Sequence, residues 1–285
     1  DDAYPTHVSS AEATMYNGKP YFSLTSTPIF VRQIAQEILF SKIPSITLTS
    51  ATLTVNGSFT NIKRNLGAIE ERTDTVLLDH VFDYKKQVKL YLTSKAPLDP
   101  WNDSKQRENY YNDLSKRIAK YVKITSGNAF VLCTSNSQMK ALHALLKAPF
   151  GSLGYNVLLQ GDGFTREQLL EEFKAVKNSV LFAVSSFWVG VDVQGDHLQN
   201  VIITKIPFPP PSPLTEAQEE IYNLFNKDKP RNKQRNFFGD RTVPDVAIKL
   251  QQGFGRLIRH KDDTGIVVIM DQRMLTKPYG KTLLA

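Results

Sequence analysis

The chain of 285 residues contains one cysteine, Cys133. A single thiol excludes an internal disulfide, and within this stretch it excludes a cysteine-ligated zinc site or iron–sulfur cluster. Long apolar runs are missing too. The longest, such as Gly265–Met270, have the length of a strand and fall far short of a bilayer span, so no membrane partner is expected. The opening residues Asp1-Asp2-Ala3-Tyr4-Pro5 show neither the basic segment nor the apolar stretch of a secretion signal. A reducing, cytoplasmic setting is expected on these grounds. Internal repeats and low-complexity tracts are absent. So are a G-x-G-x-x-G turn and a nucleophile elbow, which disfavours an α/β enzyme acting on a small anionic substrate.

What is present is an ordinary globular composition with a basic balance: 35 Lys and Arg against 28 Asp and Glu, a formal charge of +7. Such a surface favours a polyanionic partner, with nucleic acid the leading class.

Periodicity predicts an α/β fold. Ser45–Ser50 reads as a β-branched strand and Lys86–Leu92 as an alternating one. Asp103–Ile124 carries Tyr111, Leu114, Ile118 and Tyr121 at helical spacing. From Asn128 onward, strands are predicted at Ala129–Thr134, Asn156–Gln160, Val180–Val184, Val201–Lys205 and Ile266–Asp271. Helices are predicted between them: one opened by a capping box Ser135-x-x-Gln138 and burying Met139, Leu142 and Leu145, and one opened by Thr165-x-x-Gln168 and burying Leu169, Leu170 and Phe173. Two more are predicted near Thr215–Asn226 and Pro244–Arg259. Strand–helix alternation implies right-handed crossovers and a parallel sheet, whose ligands are expected beyond the carboxyl ends of the strands. The boundary between two domains is expected near Leu78–Lys85.

The most specific string is Gln252-Gly-Phe-Gly255-Arg256-Leu-Ile-Arg259. Read as the end of a helix, it projects Arg256 and Arg259 from one face, two permanent charges suited to a polyphosphate. Gly255 would let a backbone or ligand approach closely. Thr134 and Ser135 lie where a strand gives way to a helix, a place that serves as a plain N-cap or as a phosphate contact. Ser185 and Ser186 follow an apolar strand in the same way. The basic run from Lys227 to Arg235, trailed by Phe237 and Phe238, reads either as a single-strand track or as a solvated loop. His143 and His260 have no partner at ligand spacing and read as structural or solvated.

The Q-x-x-G-R-x-x-R string resembles motif VI of superfamily 2 helicases, and its surroundings resemble the DinG branch, from about Pro28 to Gly280. Thr49–Leu53 resembles motif III, Val131–Ser135 motif IV and Ser185–Asp192 motif V. Ile206–Ser212 and Asp271–Arg273 resemble further stretches of that branch. The sequence departs at Val189, where the family usually carries glutamate.

The resemblance implies a RecA-like second motor domain over residues 83–285, preceded over 1–82 by the remnant of a first. It implies ATP-dependent DNA unwinding, with Gln252, Arg256 and Arg259 in the catalytic role and Gly190, Asp192 and Gly255 near the nucleotide. Ser50 and Thr52 would couple nucleotide state to DNA grip, and Thr134, Ser135, Ser185 and Ser186 would contact single-stranded DNA. A phosphate-binding G-x-x-x-x-G-K-[ST] loop is missing: Gly280-Lys281-Thr282 imitates its end, but position 275 is leucine. No acidic D-E-x-H string precedes the motif III segment either. ATP and Mg²⁺ are therefore expected to be held mainly by a first motor domain outside this chain, which is read as a fragment. A non-catalytic module gripping single-stranded DNA is the alternative.

Overall fold

The computed structural model describes residues 5–79, 81–100, 103–184, 187, 193, 195–227, 229–230 and 234–284. In chain order the elements begin with β1 (His7–Tyr16), β2 (Lys19–Pro28), α1 (Arg32–Ala35), α2 (Thr60–Leu66) and α3 (Tyr84–Gln87). They continue with β3 (Val88–Leu92), α4 (Ser104–Ile124), β4 (Ala129–Cys133), α5 (Asn136–Gly151), β5 (Asn156–Leu159) and α6 (Arg166–Ala175). The last are β6 (Ser179–Val184), β7 (Asn200–Ile203), α7 (Pro213–Lys227), α8 (Val243–Phe254), β8 (Gly265–Ile269), α9 (Arg273–Thr276) and α10 (Gly280–Leu284). The chain divides into two compact units, residues 1–77 with 208–245 and residues 78–207 with 246–285.

The second unit is built on a six-stranded sheet in the order β3-β8-β7-β4-β6-β5, parallel at every pairing. Its central strands, Ala-Phe-Val-Leu-Cys in β4 and Asn-Val-Ile-Ile in β7, are buried along their whole length. Strands apolar on both faces need cover on both. One face meets Leu114, Ile118 and Val122 of α4 and Met139, Leu142 and Leu146 of α5. On the other, Phe130 of β4 packs on Phe173 of α6, ring centroids 4.7 Å apart.

The caps explain where the helices start. Asp103 accepts from the backbone N–H groups of Lys105 and Gln106. Thr165 and Gln168 form the reciprocal capping box that the sequence predicted.

Several expectations change in detail. In α5 the buried face runs through Leu146, while Leu145 is 40% exposed; spacing alone does not choose between adjacent residues at a stripe's edge. Tyr110, not Tyr111, is the deeply buried tyrosine of α4, and Leu170 lies only half buried beside Leu169 and Phe173. The Ser135 box closes on one side only: Ser135 Oγ accepts from Gln138 N at 3.2 Å, but the Gln138 side chain turns inward to other partners. Lys86 and Gln87 belong to α3 rather than to the strand.

In the first unit, β1 and β2 form an antiparallel hairpin joined by Asn17-Gly18, both left-handed (φ 49° and 75°). That pair favours the two-residue turn whose twist matches the strands. Ser45–Ser50, expected as a strand, has no ladder partner among the described residues and runs as irregular exposed chain. β-branched residues suit a pleated surface but do not supply the neighbouring strand that makes one.

Gly127, between α4 and β4, takes φ +88°, and a β-carbon there would lie 2.6–2.8 Å from the Asn178 backbone. Gly154 has a similar φ of +80° with nothing within 4 Å of its β-carbon position among the described residues. Gly127→Ala is expected to destabilise the chain by about 2–4 kcal/mol and Gly154→Ala by about 1 kcal/mol. Paired thermal melts check this, and equal losses at the two sites would remove the close-approach explanation.

Candidate functional site

The arginine string departs from its expected geometry. Helix α8 ends at Phe254, so Arg256 and Arg259 sit on the following loop and not on a helical face. Gly255 N–H still bonds to the Gln251 carbonyl at 2.9 Å, after which the Leu257 N–H bonds to the Phe254 carbonyl in a tighter turn. Two glycines weaken the helix here, and burial of Leu257 and Ile258, each 2% exposed, draws the chain inward between the arginines. Gln252 lies half buried in the last turn of α8. Among the described residues, a β-carbon at Gly255 would meet only the Gln251 carbonyl oxygen, at 3.3 Å.

The loop is held by its backbone. Asp263 Oδ2 accepts from the N–H groups of Arg259 (2.8 Å) and His260 (2.7 Å). The Gln87 side-chain amide donates to the carbonyls of His260, Lys261 and Asp263. The half-buried Arg259 guanidinium lies beside Tyr84, whose phenol pKa burial raises and Arg259 partly pulls back.

These contacts place the loop by the amino ends of β3 and β8: Gln87 precedes β3, and Leu257 closes on Gly265, the first residue of β8. Thr134 and Ser135 follow the carboxyl end of β4. The two sets therefore lie at opposite ends of the parallel sheet. The expectation that ligands bind beyond the carboxyl ends of the strands does not extend to Arg256 and Arg259, which lie on the loop leading into β8. Their segment enters a strand rather than leaving one.

At the carboxyl side, Ser135 is the N-cap of α5. Gln138, 2% exposed, links three elements. Its Oε1 accepts from the Thr204 hydroxyl at 2.9 Å and lies 3.4 Å from Thr134 N, while its Nε2 donates to the Tyr110 hydroxyl at 3.3 Å. Next to this network is a cavity of about 340 Å³ at the ends of β3, β7 and β8, lined among others by Asp99, Tyr110, Thr204, Lys205, Asp271 and Arg273.

Asp271, 4% exposed, accepts from Ile206 N and, in a bidentate pair, from Arg273 Nε and Nη2. Burial alone would raise its carboxyl pKa, but the Arg273 hydrogen bonds and charge outweigh it and hold the pKa below the ordinary carboxylate value. Lys205 pairs with Asp99 at 3.2 Å, and the second Asp99 oxygen is buried without a partner among the described residues. The Asp271–Arg273 pairing is not visible in the Asp271–Arg273 segment alone, because a two-residue spacing does not reveal it.

Ser50 Oγ accepts from Thr52 N at 3.2 Å in a local turn, not at a strand end, because Ser45–Ser50 forms no strand. Ser185, Ser186, Gly190 and Asp192 lie outside the described residues, as do Trp188 and Val189. In the basic run, Phe237 is buried against Tyr222, while Phe238 pairs with Phe208 and stays 40% exposed.

Other candidates have structural roles. His143 stands edge-on to Phe182, and burial lowers its pKa. Burial pushes the Cys133 thiol up to about 12. Gly280 is buried where a β-carbon would collide with the Met274 carbonyl oxygen. Among the described residues no group of three or more His, Cys, Asp or Glu side chains is arranged to hold a metal ion, and no helix is long and apolar enough to cross a membrane.

Comparison with known proteins adds a second line of observation. A family model described as a helicase C-terminal domain matches residues 118–285, more than half of the chain. The chain is 37% identical over 266 residues to the ATP-dependent DNA helicase YoaA of Escherichia coli, covering 93% of this chain and 39% of that protein. It is 30% identical over 264 residues to the 3'-5' exonuclease DinG of Bacillus subtilis, covering 92% and 27%. A solved XPD helicase superposes with a TM-score of 0.67 at 16% identity, over 92% of this chain and 46% of that one, a likeness of fold. The chain thus spans about two-fifths of the length of YoaA and less of DinG.

Asp271→Asn is expected to cost about 2–3 kcal/mol at neutral pH, because Arg273 loses its buried counter-charge. A carboxylate with a depressed folded pKa stabilises fully above its unfolded value near pH 4 and loses that contribution as pH falls through the folded value. The variant's stability should therefore fall less steeply below about pH 4 than the wild type's. Unfolding in urea across pH 2–7 measures both effects, and parallel acid limbs would show that the pair carries no such linkage.

Proposed function

Since the chain belongs to the family of helicase C-terminal domains, with a DinG-like and XPD-like arrangement of its segments, we propose that it is the C-terminal motor portion of an ATP-dependent DNA helicase. In this reading residues 1–82 are the remnant of a first motor domain ending at the motif III segment, and residues 83–285 are the second. The observation that carries it is the Gln252–Arg259 string, in which half-buried Arg256 and Arg259 lie on a loop whose backbone is fastened by Asp263 and Gln87. Fixed positive charge, aimed before the reaction begins, stabilises phosphoryl transfer without reorganisation.

Arg256 and Arg259 would bind the ATP phosphates from the second domain, with Gln252 beside them and Gly255 allowing close approach. Gly190 and Asp192 are assigned to the same nucleotide face. The phosphate loop, Mg²⁺ and the attacking water would be held by the first motor domain, and Mg²⁺ would supply charge neutralisation of the phosphates there. Thr134, Ser135, Ser185 and Ser186 would grip single-stranded DNA, and Ser50 and Thr52 would couple that grip to the nucleotide. The separation of the Arg256 loop from Thr134 and Ser135 supports this division of labour, because nucleotide and strand then meet different ends of one rigid sheet.

ATP turnover by this chain, with and without single-stranded DNA, is expected to be negligible and to need an added first motor domain. Robust turnover by the chain alone would overturn the assignment of the phosphate loop to another domain. In the full-length protein, Arg259→Ala is expected to lower DNA-stimulated turnover by about 10³ with melting unchanged. A loss of tenfold or less would end the proposed role of Arg259.

A further inference from the structure

The first unit contains a cluster of guanidinium groups that the nucleotide and strand assignments leave unused. Arg64 on α2 and Arg241, just ahead of α8, both lie half buried. Arg64 Nη2 donates to Asn61 Oδ1 at 2.7 Å and to the Asp240 carbonyl at 2.6 Å, and Arg241 Nη1 donates to Asn65 Oδ1 at 3.0 Å. Every one of these acceptors is neutral.

The nearby carboxylates are committed elsewhere. Asp245 Oδ1 accepts from the Asn61 amide at 3.0 Å, Asp240 Oδ2 accepts from the Tyr222 hydroxyl at 2.6 Å, and Asp240 Oδ1 faces Arg235 at 3.7 Å. Among the described residues neither Arg64 nor Arg241 forms an ion pair with a carboxylate. The Nε of each is buried with no hydrogen-bond partner among those residues.

Two buried donors without acceptors on adjacent cations are costly unless something completes them. The electrostatics agree with the geometry. Burial, then repulsion from Arg64 and Arg32, lowers the Arg241 pKa. Burial lowers that of Arg64 against the pull of Asp240 and Asp245. Arg32, its guanidinium carbon 5.1 Å from the Phe30 ring centroid, adds a third positive charge to this field.

Planar forks short of negative charge and holding spare N–H groups suit the oxygens of a phosphate. We infer that Arg64 and Arg241 form a phosphate-binding site in the first unit, with Arg32 contributing long-range charge, and that the phosphate comes from the backbone of a single DNA strand. The site itself stands on the cluster; only the source of the phosphate rests on the helicase reading. The cluster offers donors and charge, the chemistry that positions a backbone without reading its bases.

The test uses two measurements on wild type, Arg241→Gln and Arg64→Lys. The first is thermal unfolding in sodium phosphate against sodium chloride at matched ionic strength. A ligand that binds only the folded state raises its melting temperature, so about 50 mM phosphate should raise the wild-type value by about 2–4 °C. Arg64→Lys, which keeps the charge but loses the fork, should respond less, and Arg241→Gln not at all. An unresponsive wild type would overturn the site. So would equal losses in both salts with the phosphate response intact, which is what a merely structural arginine gives.

The second measurement is the salt dependence of binding to a single-stranded oligonucleotide. The log–log slope should become shallower by about 0.7 in Arg241→Gln, one phosphate contact. An unchanged slope beside a phosphate-dependent melt would assign the site to a free phosphate and overturn the strand as its source. A wild type that binds no DNA yet responds to phosphate would sink the helicase reading and leave the anion site standing.

Discussion

A wholly parallel sheet with apolar side chains on both faces leaves itself only two places for chemistry, the ends of its strands. β4 and β7 are buried from first residue to last, so helices must cover both faces, and polar groups are driven to the rims. The amino rim receives the Arg256–Arg259 loop, stitched to Gln87 and Asp263. The carboxyl rim receives Ser135, Gln138, Thr204 and Asp271 in one hydrogen-bonded neighbourhood. Cover and function follow from one constraint, because side chains that cannot enter the core gather where the core stops.

Charge is handled in three ways within the same chain. Arg273 is matched by the buried Asp271 carboxylate in a bidentate pair, a neutral unit that locks the chain after β8 to the chain after β7. The loop carrying Arg259 is held instead through its backbone, by main-chain donors on a carboxylate and by a glutamine amide. Arg64 and Arg241 lean on asparagine side chains and a carbonyl and form no ion pair with a carboxylate among the described residues. The first arrangement is rigid, the second positions, and the third is incomplete by itself.

The parts of this design that the sequence disclosed are those governed by local rules. Apolar runs and capping residues located β4, β5, β6, β7 and β8 and the helices between them, and Thr165 with Gln168 gave the box that forms. Features that depend on partners were not disclosed. Ser45–Ser50 has strand composition and, among the described residues, no strand beside it. The Gln138 side chain obeys Thr204 and Tyr110, distant in sequence, over its own cap. The arginine string was legible as a type, but its escape from the helix depended on where Leu257 and Ile258 found burial. The hairpin at 7–28 was within reach: Asn17-Gly18 between alternating segments is a strong local turn signal.

Cys133 closes the central strand, wholly buried and with its thiol held far from ionisation. A thiol reagent can reach it only when β4 is exposed, and it is the chain's one sulfhydryl. The molecule therefore contains its own clock for core opening: the rate at which reagent is consumed counts the excursions that uncover the carboxyl end of β4.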